Sequence, residues 1–276
     1  MREPVLNRKR PAPVYDRDGI TLYQGDCLDV LPMLGQVDHV ITDPPYEAEA
    51  HTMARRRPVA GTRRAGDEHK GWRGRGGDVR VVALPFDAIT EDVRSAAAVE
   101  IARLVRRWSL VFCQAEAAHK WESELMAAGM SRRRWCVWIK PDGQPQFTGD
   151  RPGMGYETIV ATHAVGKSRW NGGGKLGVFR HVKNVTGSQF SEPHPTRKPI
   201  ALMRELIELF TDPGETILDP FAGSGTTLVA ARDLGRKAIG IELSAEYAAT
   251  AVSILEHGVK GAALVKRGQE PLFIHE

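Results

Sequence analysis

Thr216-Ile217-Leu218-Asp219-Pro220-Phe221-Ala222-Gly223-Ser224-Gly225-Thr226-Thr227 is the stretch that decides the fold. Thr216 to Asp219 reads as a short buried strand, and the glycine-bearing turn after it opens a helix from about Thr226 to Leu234, which Gly235 ends. Lys237 to Ile241 reads as the next strand, with Glu242 at its tip. Strand, turn, helix and strand in that order predict a parallel βαβ unit, with ligands at the carboxyl ends of its strands. Glu242 falls about 20 residues beyond the glycines, where a carboxylate accepts both hydroxyls of a ribose. The glycines let the backbone approach an adenosine-bearing ligand that a Cβ would hold off. The third glycine of the dinucleotide fingerprint is absent, and the reading set against a nucleoside cofactor is a tight turn followed by a solvated glutamate.

The same geometry is predicted earlier in the chain. Val37 to Thr42 reads as a strand, and Asp43-Pro44-Pro45-Tyr46 follows it directly. Asp43 then lies at the carboxyl edge of a parallel sheet. The two prolines fix two φ angles and remove two backbone donors, so the carbonyls around them are left as acceptors. An acidic acceptor, a rigid turn and an aromatic ring suit the holding of an amino group on a flat ring. By itself the segment also reads as a strand-ending turn, because Asp and Pro dominate turns.

Around these two anchors the pattern is that of an α/β chain. Ile20 to Tyr23 predicts a strand, Leu28 to Leu34 a short helix, Ser95 to Arg107 a helix, Ser109 to Cys113 a strand and Ala115 to Ala128 a helix. Arg134 to Lys140 and Glu157 to His163 read as strands, and Pro199 to Phe210 as a helix with one apolar face. Ser244 caps a final helix that ends near Gly258. With 276 residues and 42% hydrophobic content, the chain is long enough for one sizeable core, and a single domain over 1–276 is expected. Residues 47–87 form a basic, glycine-rich insertion with Arg55, Arg56, Arg57, Arg63, Arg64, Lys70, Arg73, Arg75 and Arg80, too long for a compact connector. It is either functional or a solvated, disordered loop.

A net charge of +4 is compatible with a polyanionic partner. Cys27, Cys113 and Cys136 are isolated and lack the spacing of a disulfide framework or zinc site, and His51, His69, His119 and His181 have no partners at metal-ligand spacing. No segment is apolar enough to span a bilayer, so a soluble cytoplasmic protein is expected.

Taken together, Gly25-Asp26-Cys27-Leu28, Asp43-Pro44-Pro45-Tyr46, His194-Pro195-Thr196-Arg197-Lys198-Pro199 and Asp219-Pro220-Phe221-Ala222-Gly223-Ser224-Gly225 resemble the motifs of the DNA amino-methyltransferases. These enzymes transfer methyl from S-adenosylmethionine to an exocyclic base amine. The catalytic motif precedes the cofactor motif, which is similar to the permuted β group of the family. The resemblance implies a doubly wound, mostly parallel sheet, with Asp26, Cys27, Asp43, Asp219, Phe221, Ala222, Gly223, Ser224, Gly225, Thr226 and Glu242 about the cofactor. Lys198 would neutralise the cofactor's carboxylate; a lysine at a helix start is otherwise disfavoured by the dipole.

An exocyclic amine is a poor nucleophile while its lone pair is delocalised into the ring. Acceptors at its two hydrogens draw the nitrogen towards tetrahedral geometry, and the Asp43 carboxylate with the Pro44 carbonyl is the natural pair. Pro45 stiffens the turn, and Tyr46 is the stacking candidate for a base rotated out of the duplex, its other reading being a core or rim aromatic. None of the three cysteines follows a proline, which argues against the thiolate chemistry of ring-carbon methylation. Family members beginning this motif with Asp more often act on adenine, so adenine is expected and N4 of cytosine is the alternative. RNA or protein amine methylation and a silent DNA-binding module are the readings from other classes.

Arginines of the insertion would track phosphates. The family places base recognition within about 164–193, here with Lys167, Arg169, Trp170, Lys175, Arg180 and Lys183. Trp72 and Trp170 read either as wedges against DNA or as packing anchors. Duplex DNA is the expected substrate, a homodimer the expected assembly and restriction-modification the expected setting. The segment Gln269-Glu270-Pro271-Leu272-Phe273 either docks on the sheet or resembles peptides that hold the bacterial sliding clamp.

Overall fold

The computed structural model describes residues 11–47, 88–143, 152–183 and 198–266, with side chains to Gly258, and the backbone of 56–58 and 79–81. Its strands are β1 (Tyr15–Arg17), β2 (Ile20–Gln24), β3 (His39–Thr42), β4 (Arg56–Pro58), β5 (Val79–Val81), β6 (Trp108–Cys113), β7 (Ser131–Ile139), β8 (Tyr156–His163), β9 (Val178–Arg180), β10 (Thr216–Asp219) and β11 (Lys237–Glu242). Its helices are α1 (Cys27–Val30), α2 (Glu91–Leu104), α3 (Ala115–Ala127), α4 (Ile200–Phe210), α5 (Thr226–Asp233) and α6 (Ala245–Lys266), the last interrupted at Gly258.

Nine strands form one sheet in the order β1-β2-β11-β10-β3-β6-β8-β7-β9. Strands β2, β11, β10, β3 and β6 are mutually parallel, while β8 runs antiparallel to both β6 and β7. The α/β class and mostly parallel sheet expected from the sequence are therefore present. From β10 the chain crosses through α5 to β11 on one side, and from β3 it crosses through α2 to β6 on the other. The strand order thus reverses between β10 and β3, and a crevice opens beyond the carboxyl ends of strands at such a point.

Side chains along the central strands point alternately to the two faces of the sheet, as the pleat requires, and both sets are buried. Trp108, Leu110 and Phe112 of β6 enter one apolar cluster with Leu202, Leu206, Leu228 and Ile254 from α4, α5 and α6. Val111 and Cys113 enter a second cluster with Val30, Ile101 and Trp121 from α1, α2 and α3. Helices cover both faces, so parallel strands such as Thr216–Asp219 and His39–Thr42 are buried nearly throughout.

Several boundaries differ from expectation for identifiable reasons. The helix expected over Leu28 to Leu34 is only α1 followed by a 3₁₀ turn, Leu31–Met33, because Pro32 has no N–H to continue an α ladder. Helix α2 begins at Glu91, ahead of Ser95, where Thr90 Oγ1 accepts from Val93 N at 3.3 Å. Its acidic first turn conceals the apolar period. Strands β1 and β9 are three residues each and lay below the resolution of the pattern. Ser244 does begin α6, its hydroxyl accepting from Tyr247 N at 3.4 Å, but the chain turns helical again after Gly258. Among the described residues no helix is long and apolar enough to cross a membrane.

Candidate active site

The first component lies at the ends of β10 and β11. Glu242 Oε2 accepts from Gly223 N at 2.7 Å and Oε1 from Ser244 N at 2.8 Å, so the acid at the tip of one strand clasps the glycine turn after the other. Burial raises the Glu242 carboxyl above its ordinary range, and these two N–H groups partly offset that. Each oxygen receives one of these bonds and keeps acceptor capacity for a ribose hydroxyl. Gly225 holds φ 82° at the start of α5, a left-handed conformation that glycine adopts without strain. Gly240 lets β11 and α5 meet: a Cβ there would stand 2.8 Å from Leu228 Cδ1 and 3.1 Å from Ala222 Cβ. Ala222 and Ser224 are buried in the turn, Phe221 is half-buried against the α1–α3 side, and Thr226 is the first residue of α5.

Gly25 N donates to Glu242 O at 2.9 Å, which brings Asp26 to the same edge. Asp26 caps α1 by accepting from Leu28 N at 2.9 Å. Cys27 is buried in the adjoining core, and burial pushes its thiol up to about 12, so it is neutral there. A polar cradle with an acid for a ribose and glycines where backbone and ligand meet fits S-adenosylmethionine.

The second component is the turn after β3. Thr42 Oγ1 donates to Asp219 Oδ1 at 2.7 Å and so joins it to the first. Asp219 also accepts from Phe221 N at 3.2 Å, and burial raises its carboxyl against the pull of these donors. Lys198 Nζ donates to Asp43 Oδ2, lies 3.1 Å from Glu157 Oε2 and 3.4 Å from Tyr46 OH. Lys140 Nζ in turn donates to Glu157 Oε1. Asp43 Oδ1 is buried and has no hydrogen-bond partner among the described residues. A buried carboxylate oxygen without a donor is costly, and it is also an acceptor ready for a ligand.

Charge in this cluster is set by competition. Burial raises the Asp43 carboxyl to about 6 despite Lys198, with Glu157 adding to the rise. Burial would also raise Glu157, but Lys198 and Lys140 outweigh it and bring the group to about 2. Lys198 is likewise held protonated by Asp43 and Glu157 against the effect of burial. Burial takes the Tyr46 hydroxyl well above its usual value. Pro44 is buried, Pro45 and Tyr46 are half-buried, and Tyr46 O accepts from Ile89 N at 3.2 Å. Glu47, also buried, lies 3.6 Å from Arg94, which bonds Glu124 at 3.0 Å.

The structure thus gathers Asp43, Pro44, Pro45, Tyr46 and Lys198 at one place and joins them to Asp219. The Lys198 ammonium contacts Asp43 and Tyr46 of the turn after β3, a placement that its motif alone did not indicate. Glu157 and Lys140 stood in the sequence only as strand ends and not as site residues. Their signal was a pair of charges at the ends of two apolar strands, which read as ordinary strand boundaries.

Residues 164–183 divide between the two edges of the sheet. Arg169 pairs with Asp212 at 3.1 Å, and its carbonyl accepts from Trp108 Nε1 at 2.6 Å. Trp170 meets Phe210 edge-on at 4.7 Å and donates Nε1 to Gly173 O at 2.9 Å, which makes it a packing anchor. These residues, with Lys167 close by, adjoin the amino-terminal end of β6, the opposite edge from Asp43; the structure does not bring them to the crevice. Strand β9 runs parallel to β7, so Arg180 and Lys183 return towards the carboxyl edge, where Lys183 N donates to Asp142 at 2.8 Å. Lys175 lies between, 4.0 Å from Glu205. Arg56 and Arg57 lie on β4, which pairs with β5 in a separate ribbon. Arg55, Arg63, Arg64, Lys70, Trp72 and the Gln269 to Phe273 segment lie outside the described residues.

Comparison with known proteins agrees with this architecture. The family model for DNA methylases matches residues 167–253. YubD of Escherichia coli (strain K12) is 30% identical over 81% of this chain and 85% of its own. The type II methyltransferase M.XycI of Xanthomonas campestris pv. cyanopsidis is 35% identical over 46% of this chain and 45% of its own, so the match spans about half of that relative. The DNA adenine methyltransferase YhdJ of Escherichia coli (strain K12) is 54% identical over 20% of this chain and 19% of its own. The crystal structure of the M1.HpyAVI-SAM complex shares the fold, with a TM-score of 0.62 at 23% identity over 86% of this chain and 98% of that one. The chain belongs to the N6-adenine/N4-cytosine family of S-adenosylmethionine-dependent DNA methyltransferases.

Proposed function

We propose that the protein methylates the N6 amino group of adenine in duplex DNA, with Asp43 as the acceptor that activates the amine. The observation that carries this reading is the buried Oδ1 of Asp43, without a partner among the described residues and set where the two halves of the crevice meet. Its ionised form accepts a hydrogen bond from the amine and draws the nitrogen lone pair out of conjugation, and the Pro44 carbonyl is positioned by the rigid turn as a second acceptor. Asp43 is also the base that takes up the proton lost by the nitrogen. Glu242, Gly223 and Asp26 hold the nucleoside end of S-adenosylmethionine, which supplies an electrophilic methyl group. Alignment and electrostatics fixed before reaction contribute several kcal/mol each in such sites.

A base inside a helix cannot reach the crevice, so the nucleotide is rotated out of the stack, and unstacking costs a few kcal/mol. Tyr46 is the ring on which the extruded base stacks. Adenine, rather than cytosine, is favoured by the acid that opens the motif and by the local identity to YhdJ. Incubation of plasmid with labelled S-adenosylmethionine, followed by mass spectrometry of the nucleosides, tests this. N6-methyladenine is expected; N4-methylcytosine, or label only in RNA or protein, overturns the reading.

The family resemblance further suggests a homodimer in a restriction-modification setting, for which sedimentation with and without DNA is the test. A clamp-binding role for Gln269 to Phe273 rests on sequence alone. A pull-down with the clamp, before and after removal of 269–276, decides between that role and docking on the sheet.

A further inference from the structure

Behind Asp43 the charges alternate inward from one element to the next. Lys198 at the start of α4 is followed by Glu157 at the start of β8, and Glu157 by Lys140 just after β7. Lys198, Glu157 and Lys140 are all buried. Buried ions persist only where they are paired, so each of these sites depends on its neighbours. Lys140 takes Glu157 Oε1 and Lys198 faces Oε2, which divides the carboxylate between two ammonium groups. The Lys198 ammonium also lies 5.0 Å from the Phe112 ring and 5.9 Å from the Trp138 ring, aromatic walls that limit where it can move.

We infer that Glu157 is a positioning residue for methyl transfer: it holds Lys198 against Oδ2 of Asp43 and thereby keeps Oδ1 open to the target amine. The inference rests on the reading of Asp43 as the amine acceptor. Without the Glu157 charge, two ammonium groups face the single carboxylate of Asp43. Lys198 then bears fully on Asp43, which becomes a weaker acceptor and a weaker base. The other groups about Asp43 are Tyr46 on its own turn, Asp219 on β10 and the neutral thiol of Cys113 on β6. Tyr46 OH lies 3.4 Å from Lys198 Nζ but carries no charge, and Asp219 is engaged by Thr42 Oγ1 and Phe221 N. The glutamate also raises the proton affinity of Asp43, which provides a readout that packing alone would not alter.

Glu157→Gln preserves size and removes the charge. Its kcat is expected to fall about tenfold, while the KM for DNA and the calorimetric affinity for S-adenosylmethionine stay within about twofold. The acidic limb of its kcat/KM profile moves to lower pH. Glu157→Asp keeps the charge, recovers part of kcat and leaves the limb in place. Lys140→Gln is the second probe should the first variant fold poorly: removing a cation behind Glu157 moves the limb to higher pH, the opposite direction. Wild-type kcat with an unmoved limb in Glu157→Gln, or limbs that shift alike in the Gln variants of Glu157 and Lys140, would overturn the inference. Asp43→Asn is measured alongside on the base that the wild type methylates. Full activity in that variant sinks the reading of Asp43 itself, whereas inactivity there with an unaffected Glu157→Gln sinks only the role of Glu157.

Discussion

Thr42 donates its hydroxyl to Asp219 at 2.7 Å, a fully buried bond that links the strand before the Asp43 turn to the strand before the glycine turn. The partners are 177 residues apart in sequence and adjacent in the sheet. The bond fixes the spacing between the two components of the crevice.

Thr42→Val keeps the shape and leaves a buried acceptor short of a donor. Hydrogen bonds to charged groups contribute about 1.5–3 kcal/mol, so a loss of stability of that order is expected in chemical denaturation, together with weaker cofactor binding. Thr42→Ser should restore both. Unchanged stability and affinity in the valine variant would show that the bond has no such role.

Glu242→Ala removes the carboxylate that Gly223 N and Ser244 N hold in place. Cofactor affinity measured by calorimetry should weaken by about 1.5–3 kcal/mol, the range for hydrogen bonds to a charged group. Binding equal to that of the wild type would remove Glu242 from the cofactor site.

Gly240→Ala forces a methyl against Leu228, Ala222 and Leu22, with contacts of 2.8, 3.1 and 3.1 Å before relaxation. Overpacking of this kind costs about 1–3 kcal/mol. A midpoint in urea equal to that of the wild type would mean that the strand and α5 separate more easily than their packing indicates.

The pH dependence follows from the direction of the Asp43 shift. Burial raises this carboxyl to about 6, so the acceptor form is lost as pH falls through that value. The free enzyme's kcat/KM should therefore rise with an apparent pKa near 6. A profile that stays flat well into the ordinary carboxylate range would contradict the burial of a competent Asp43.

Much of the fold was legible because its signals are local. The strand, turn, helix and strand from Thr216 to Glu242 carry their own punctuation in Gly223, Gly225 and Gly235, and Asp43-Pro44-Pro45-Tyr46 could be placed at a strand end from composition alone. The charge cluster was illegible because its members come from distant elements: Lys198 reaches Asp43 across 155 residues and Lys140 reaches Glu157 across 17, through a reversal of the chain from β7 to β8. Trp170 shows the same limit. Its basic, glycine-rich neighbourhood left a DNA-facing role open, and only the Phe210 ring on α4 settles it as packing. For Thr42, strand propensity predicted burial but nothing indicated a bond to Asp219.

The most direct measurement of the central claim is single-turnover methyl transfer to duplex DNA by Asp43→Ala, made beside its calorimetric affinity for S-adenosylmethionine. If Asp43 activates the amine, transfer is abolished while cofactor binding stays within about threefold of the wild type, because an interaction made only with the reacting group is lost. Transfer at a rate close to that of the wild type, with the cofactor bound normally, would contradict the account.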